Sequence, residues 1–451
     1  MSELPSGWIQ EPLQSLVSLN EKLSDIEDDE DCGFVPMNLV PTKLLGKIQY
    51  EQKKWGDCKK GYTHFKDGDV LLAKITPCFE NGKSVLVSGL PNGIGAGSTE
   101  YFVLRSEFLD SRYLHAFAKT KQFKDDCSVR MTGSVGHKRV PKDYLLEYRI
   151  PVAPLNEQIR IADKLDNVLA KVDAAQARLE KIPTLLKRFR QSVLAAATSG
   201  ELTREWRETN GIHLNQWSWK KLSDIAEIQG GVTKDSKKQS DVDEEIPYLR
   251  VANVQRGYLD LTEIKTIRIP SSKLEKLLLE SGDVLFNEGG DLDKLGRGWI
   301  WENQITRCSF QNHVFRARLY DSTNNPKYVS WWGNTEGHEY FIRQGKQTTN
   351  LASINKTILS NLPINMPPTE EQKEIVRRVE SLFTLADTVE KQYLAAKQRL
   401  DRLTQSLLAK AFRGELVPQD PNDEPAAELL KRIQAERNAQ PPVKNKRKQQ
   451  A

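Results

Sequence analysis

The chain has 451 residues, 38% hydrophobic and 28% charged, with 66 Lys and Arg against 61 Asp and Glu for a formal net charge of +5. That length exceeds what one core organises, so two or more domains are expected, and so small a charge excess by itself says almost nothing about nucleic acid. Cys32, Cys58, Cys78, Cys127 and Cys308 form no C-x-x-C pair and no even framework, no signal peptide opens the chain, and no run of eighteen apolar residues occurs, so a soluble cytosolic protein with reduced thiols and no membrane span is expected.

Residues 1–155 read as a first globular α/β domain. PSGW with Leu13 and Leu16 suggests an opening helix or strand packed by Trp8. Residues 25–31 hold six carboxylates in seven positions, a run that a polyanion would repel and that belongs in a solvated loop. Strand-like pieces follow at FVPMNLV from Phe34, GDVLLAKI from Gly68, SVLVSGL from Ser84 and TEYFVLR from Thr99. Residues 111–123 predict a helix, and MTGSVGHKRVP from Met131 a loop before the last strand. Gly93, Gly95 and Gly97 form a GxGxG read as a tight turn, since no helix with a correctly spaced acidic partner follows.

Residues 156–204 read as one long helix. Leu165, Val168, Val172, Ala175, Leu179, Ile182, Leu186, Phe189, Val193 and Ala196 recur with steps of three and four, a heptad seam. Asn156 can cap its start, Gly200 supplies the stop, and Pro183 predicts a bend because an interior proline removes a backbone hydrogen bond. Between start and stop lie roughly forty residues, a rod on the order of 60 Å. Residues 205–368 repeat the plan of the first domain more loosely. Trp217, Leu222 and Ile225 stand for Trp8, Leu13 and Leu16, and GDVLF from Gly282 for GDVLL, but KITPCFENGK after the first has become NEGGDLDKLGRG after the second. A shared scaffold with different loops is the pattern of two domains that present different surfaces.

Residues 369–417 carry the seam again, as Val379, Leu382, Ala386, Val389, Tyr393, Ala396, Leu400, Leu403 and Leu407. The displacement is constant and without a gap, Val379 standing for Leu165 and Leu407 for Val193. Glu157-Gln158 matches Glu371-Gln372 and Gly200 matches Gly414 in the same register, with IPVAP and INMPP before the helices. Thr369 is a fair N-cap with Gln372 three residues on, the spacing of a capping box. A seam of this length needs a partner helix, and the nearest is the other copy. Residues 418–451, broken by Pro418, Pro421 and Pro425 and ending in a basic stretch, read as a mobile tail.

This order, with LEKIPTLLKRFRQSVLAAATSGELTREWR from Leu179 and with PPTEEQKEIVRRVESLFTLADTVEKQ and LTQSLLAKAFRGEL in the second copy, resembles the specificity subunit of Type I restriction-modification enzymes, in its enteric-type branch. The resemblance covers almost the whole chain. It implies an α+β fold: two globular α/β target-recognition domains joined by two long antiparallel coiled-coil helices. Each domain would read one half of a split, asymmetric site in double-stranded DNA. The helices would set the gap and bind two methyltransferase subunits, which two motor-nuclease subunits would join in the full complex. Catalysis would lie with those partners, holding S-adenosylmethionine, ATP and magnesium, and no cofactor with this chain. The nearest string to the Asn-Pro-Pro-aromatic motif expected of such a methyltransferase is NPKY at Asn325, and no GxxxxGK[ST] phosphate loop occurs.

Candidate DNA contacts are hydrogen-bonding side chains on the loops that differ between halves. In the first half these are Lys74, Thr76, Asn81, Lys83, His137, Lys138 and Arg139; in the second, Asn287, Lys294, Arg297, Gln347, Thr348 and Asn350. Arg188, Arg190, Arg377 and Arg378 are the candidate partner-binding residues on the helices. The six histidines lack ligand spacing, so no metal site is expected. Two other classes are a stand-alone nuclease or methyltransferase with unrecognisable motifs, and a coiled-coil organiser without sequence preference.

Overall fold

A computed structural model describes residues 4–233, 242–347 and 352–439. The chain divides into two compact units: Met1–Glu180 with Leu394–Ala451, and Lys181–Tyr393. The boundary falls inside the longest helix, Thr369–Ala411, whose residues 369–393 count with the second unit and 394–411 with the first.

In the first unit a four-stranded sheet runs in the order Val17–Leu19, Tyr101–Ser106, Val70–Ala73, Ser84–Leu86. Its central strands are buried on both faces, and alternate residues serve different cores. Val70, Leu72, Phe102 and Leu104 face one cluster with Phe117 and Phe123, while Leu71, Tyr101 and Val103 face a second with Val35, Phe65 and Val85. The neighbouring sheet runs Glu51–Lys54, Asp31–Val35, Ile94–Gly97, Thr63–Lys66, with the middle pair parallel. The second unit repeats the first sheet with the strands Ala226–Gly230, Val314–Leu319, Val284–Asn287 and Gly298–Ile300. Val284 and Phe286 face one core and Leu285 another, as the GDVL repeat implies. In both copies the Asp of that repeat closes the preceding turn and takes a bidentate arginine: Asp69 accepts from Lys66 N and Arg105, Asp283 from Glu280 N and Arg318.

Each unit contains a stretch of antiparallel helix pairing. In the first, Ile161, Leu165 and Leu169 share a core with Leu408 and Ala411, and Gln176 donates to Asp401 at 3.3 Å. In the second, Val193 and Ala197 pack with Ile375, Val376 and Val379, and Arg190 reaches Asp387 at 2.7 Å and Glu390 at 2.9 Å. Residue numbers fall along one helix as they rise along the other, the antiparallel arrangement that the resemblance implies. Gly200 and Gly414 end the two copies with left-handed φ of 82° and 73°, where a side chain would strain the backbone.

Four local expectations are corrected. The helix predicted over 111–123 is two, Ser111–Ala118 and Lys121–Val129, because Lys119 turns inward to donate to the carbonyls of Thr42, Gly82 and Ser84. The first long helix is also two, Leu155–Leu179 and Ile182–Thr198, interrupted at Glu180-Lys181 beside the bend expected at Pro183, which takes the second position of the new helix. Lys397, the counterpart of Pro183, leaves the second copy continuous. Neither predicted cap forms: Pro154 precedes the first helix, Thr369 lies inside the second, and Gln372 bonds elsewhere. Finally, the tail is structured as far as 439. Helix Ala426–Ala439 buries Ala426 and Leu429, Leu430 and Ile433 pack on the first unit's core, and Ala426 N donates to Gly7 O at 2.9 Å. The basic end of the tail lies outside the described residues.

Candidate nucleic-acid interface and the joint behind it

In each unit the domain is fixed to its helix by the same set of bonds. Trp8 donates its indole N–H to Glu157 at 3.0 Å, and Trp217 does so to Glu371 at 2.7 Å. The next residue is a glutamine used at both ends: Gln158 accepts from Asp110 N and donates to Ala153 O, while Gln372 accepts from Asn325 N and donates to Pro367 O, at 2.8–2.9 Å throughout. Asp110 and Asn325 are themselves N-caps of the domain helices Ser111–Ala118 and Pro326–Asn334. A tyrosine one turn on, Tyr113 or Tyr328, donates to the carbonyl of Pro151 or Asn365. A cation on the same helix then reaches the long helix: Arg112 to Asp163 and Asp166, Lys327 to Glu380. Glu157, Gln158, Glu371 and Gln372 are at most 2% exposed. Buried, oriented hydrogen bonds leave a domain little freedom to turn on its helix.

The joints differ in one respect. Glu371 also takes Arg207 and Thr203, both at 2.6 Å, on its other oxygen. Among the described residues, the corresponding Oε1 of Glu157 is buried with no hydrogen-bond partner. Burial accordingly holds the Glu157 carboxyl above the usual range, against the opposing pull of Trp8 and Arg160. The Glu-Gln repeat is legible in the sequence as a helix head; its role as the clamp on a tryptophan is not.

In each domain two loops meet. In the first, Thr76 N donates to Lys138 O at 2.9 Å, Lys138 N to the Thr76 hydroxyl at 3.0 Å, and Val140 N to Lys74 O at 2.9 Å. The two stretches proposed from sequence are thus one surface. The second domain repeats the last bond at the matching positions, from Ile354 N to Glu288 O, and pairs Gly289–Gly290 with Ala352–Ser353.

The candidates on these surfaces are not equivalent. His137, Lys138 and Asn81 are exposed, and Lys138 makes no ion pair among the described residues. Arg139 is exposed but bidentate to Glu100, whose carboxyl it holds below its usual range. Lys74 donates to Thr99 O and half-buried Lys83 to Met37 O, so both brace the loop. Asn287 is a correction: it is fully buried, its amide donates to the carbonyls of Val251 and Val254, and no base edge can reach it. Lys294 pairs with Asp291, and half-buried Arg297 donates to Val251 O. Gln347 sits in the strand Lys346–Gln347 opposite Ala352; Thr348 and Asn350 lie outside the described residues.

The helix arginines also divide. Arg188 is exposed. Arg190 ties its helix to Asp387 and Glu390, and Arg378 bonds Glu374 and Leu202 O, so these two already serve the second unit's own packing. Arg377 is exposed beside Glu374, and with Arg378 it depresses that carboxyl to about 2.

Residues 14–184 and 215–397 each match the Type I restriction modification DNA specificity domain. The chain is 36% identical to the Type I restriction enzyme EcoKI specificity subunit of Escherichia coli K12, and 31% identical to the StySPI specificity subunit of Salmonella potsdam. Both similarities cover 99% of each chain. Among solved structures, one described under complex assembly and conformational transition of the type I R-M system superposes with a TM-score of 0.65 at 18% identity, covering 92% of this chain and all of the other. The HsdS subunit from Thermoanaerobacter tengcongensis gives 0.61 at 19% identity, covering 92% and 98%.

Proposed function

Because the chain belongs to the Type I restriction-modification DNA specificity family, we propose that it acts as the specificity subunit of such a complex, each domain reading one half of a bipartite DNA site. The observation that carries this is the repeated joint. Two domains are held on their helices by matching bonds while their paired loops differ, so equivalent grooves can be met by surfaces that recognise different words.

The chain is a specificity subunit rather than a catalyst. In our reading, adenine-N6 methylation and ATP-dependent cleavage are the work of the assembled complex. Two methyltransferase subunits dock on the helices, two motor-nuclease subunits join them, and S-adenosylmethionine, ATP and magnesium are bound by those partners. The complex works in the cytoplasm. Among the described residues no helix is long and apolar enough to cross a membrane. Asn81, His137 and Lys138 are the preferred contacts in the first domain, and Lys294, Arg297 and Gln347 mark the corresponding surface of the second. Of the helix arginines, Arg188 and Arg377 are the better candidates for docking a partner.

Methylated adenines mapped across a genome that expresses this chain with its methyltransferase would test the proposal. A single split motif with unlike halves is expected. Methylation without such a motif, or turnover by the purified chain alone, would overturn it.

A further inference from the structure

Cys32 and Cys58 lie with their sulfurs 3.1 Å apart, both fully buried. Cys32 belongs to the strand Asp31–Val35, and Cys58 ends the one-turn helix Trp55–Cys58. The strand Glu51–Lys54 explains their meeting. It pairs antiparallel with the first strand, Asp31 opposite Lys54, so the helical turn that follows Lys54 folds Cys58 back over Cys32. The turn is pinned by Trp55 N to Glu30 O and Gly56 N to Asp28 O, each 2.8 Å. A disulfide needs its sulfurs at about 2.05 Å, roughly one ångström closer than they stand.

The surroundings bear on what the pair can do. Phe34, Trp55 and Ala96 enclose it. Leu23 N donates to His64 Nδ1, and His64 Nε2 faces Lys59 O, so the nearby imidazole is already engaged. Among the described residues no group of three or more His, Cys, Asp and Glu could hold a metal ion. Cys127 and Cys308 are buried in other cores and Cys78 is half-buried.

We propose that Cys32 and Cys58 are a redox pair in the first domain, closing to a disulfide when a hydroperoxide reaches them. Cys58 ends a single helical turn while Cys32 stays in its strand, so Cys58 is the attacking sulfur once that turn lifts and admits the peroxide. The Cys58 thiolate attacks one peroxide oxygen, the O–O bond breaks, and the departing oxygen leaves as water or alcohol, giving a sulfenic acid. The Cys32 sulfur then displaces the sulfenic oxygen, which leaves as water with the Cys32 proton. Two thiols lose two electrons and the peroxide gains them. The bond would tie the helical turn to the strand and close residues 33–57 into a loop, so oxidation would lock this part of the domain rather than unfold it.

The test uses the full chain treated with hydrogen peroxide, denatured in acid, and alkylated with N-ethylmaleimide. Three alkylated thiols instead of five, a 32–58 linked peptide in the mass spectrum, and a higher melting temperature are expected. Linkage that does not depend on protein concentration, and its loss in Cys58→Ser with four thiols still alkylated, complete the expected result. Five thiols remaining, separate sulfinic acids at the two positions, a link to any other cysteine, or a linked form that melts earlier would overturn the proposal. The wild-type peptide map decides even where a variant folds poorly.

Discussion

Glu371→Gln and Glu157→Gln make the same chemical change at matched positions and should have unequal effects. Glu371 is wholly buried and neutralises Arg207, whose side chain is 8% exposed, across 2.6 Å. The amide leaves that guanidinium buried without a counter-charge, and removing one partner of a buried pair costs about 3–5 kcal/mol. Glu157 has no such partner on Oε1 among the described residues. Its amide variant weakens the Trp8 bond by about 1 kcal/mol but removes a buried negative charge, so the net change is within about 1 kcal/mol. Hydrogen-exchange mass spectrometry on peptides from 155–166 and 369–380 reads the two joints separately. A tenfold change corresponds to about 1.4 kcal/mol, so protection in the second should fall by two decades or more while the first barely moves. Arg207→Gln added to Glu371→Gln should recover part of the loss, because the stranded charge is gone. Equal losses at the two joints, or no recovery in the double variant, would refute the assignment of Arg207 as the difference between them.

The same asymmetry has a pH signature. Glu157 is raised above its unfolded value, so the folded unit binds the proton more tightly. Protection of 155–166, corrected for intrinsic exchange, should therefore rise as pH falls through the folded pKa toward 4.5, and Glu157→Gln should abolish the rise. Lys138→Ala should weaken DNA binding similarly for all first-half words and lower the slope of log affinity against log salt by about 0.9, the value of one phosphate contact; loss confined to one word would mean a base contact instead. Leu429→Asp places a charge where a 6% exposed leucine packs, and should lower the first unit's stability by at least about 2 kcal/mol in urea titration. An unchanged midpoint would return the tail to the mobile role that its composition suggested.

Periodicity and repetition carried the architecture. The seam, the matched glycine stops and the GDVL pair are visible because core packing imposes fixed spacings on residue type, and those spacings survive in both copies. The joint was only half legible. Glu-Gln stands out by recurring, but its partners Trp8 and Asp110 lie 149 and 48 positions away, and no local pattern announces a hydrogen bond of that range. Capping rules pointed at Gln372, yet its amide is claimed by Pro367 O and Asn325 N. Loop chemistry misled at Asn287, since asparagine suits an adenine edge and a pair of buried carbonyls equally well, and only burial separates the two. The tail misled for a related reason: proline and charge dominate its composition, while Ala426, Leu429, Leu430 and Ile433 supply a sufficient apolar face.

A rigid joint constrains how the helices can act as a ruler. One heptad inserted on both strands of the helix pair beside the Gln176–Asp401 contact adds about 10 Å, roughly three base pairs, without turning the domain about the helix axis. Over three base pairs of a duplex with about 10.5 per turn the groove turns through roughly 100°. A loosely attached domain would swivel to follow it; one clamped by Trp8, Gln158 and Arg112 cannot. Three heptads add about 32 Å, close to the turn of roughly 34 Å, and bring the groove back into phase. Selection from random duplexes should therefore return a split site longer by nine or ten base pairs for the three-heptad variant at near-parental affinity, and no tight site for the one-heptad variant. Tight binding by the one-heptad form to a gap three base pairs longer would show that the domains turn freely on their helices. In that case the buried bonds at Glu157 and Glu371 would serve stability alone.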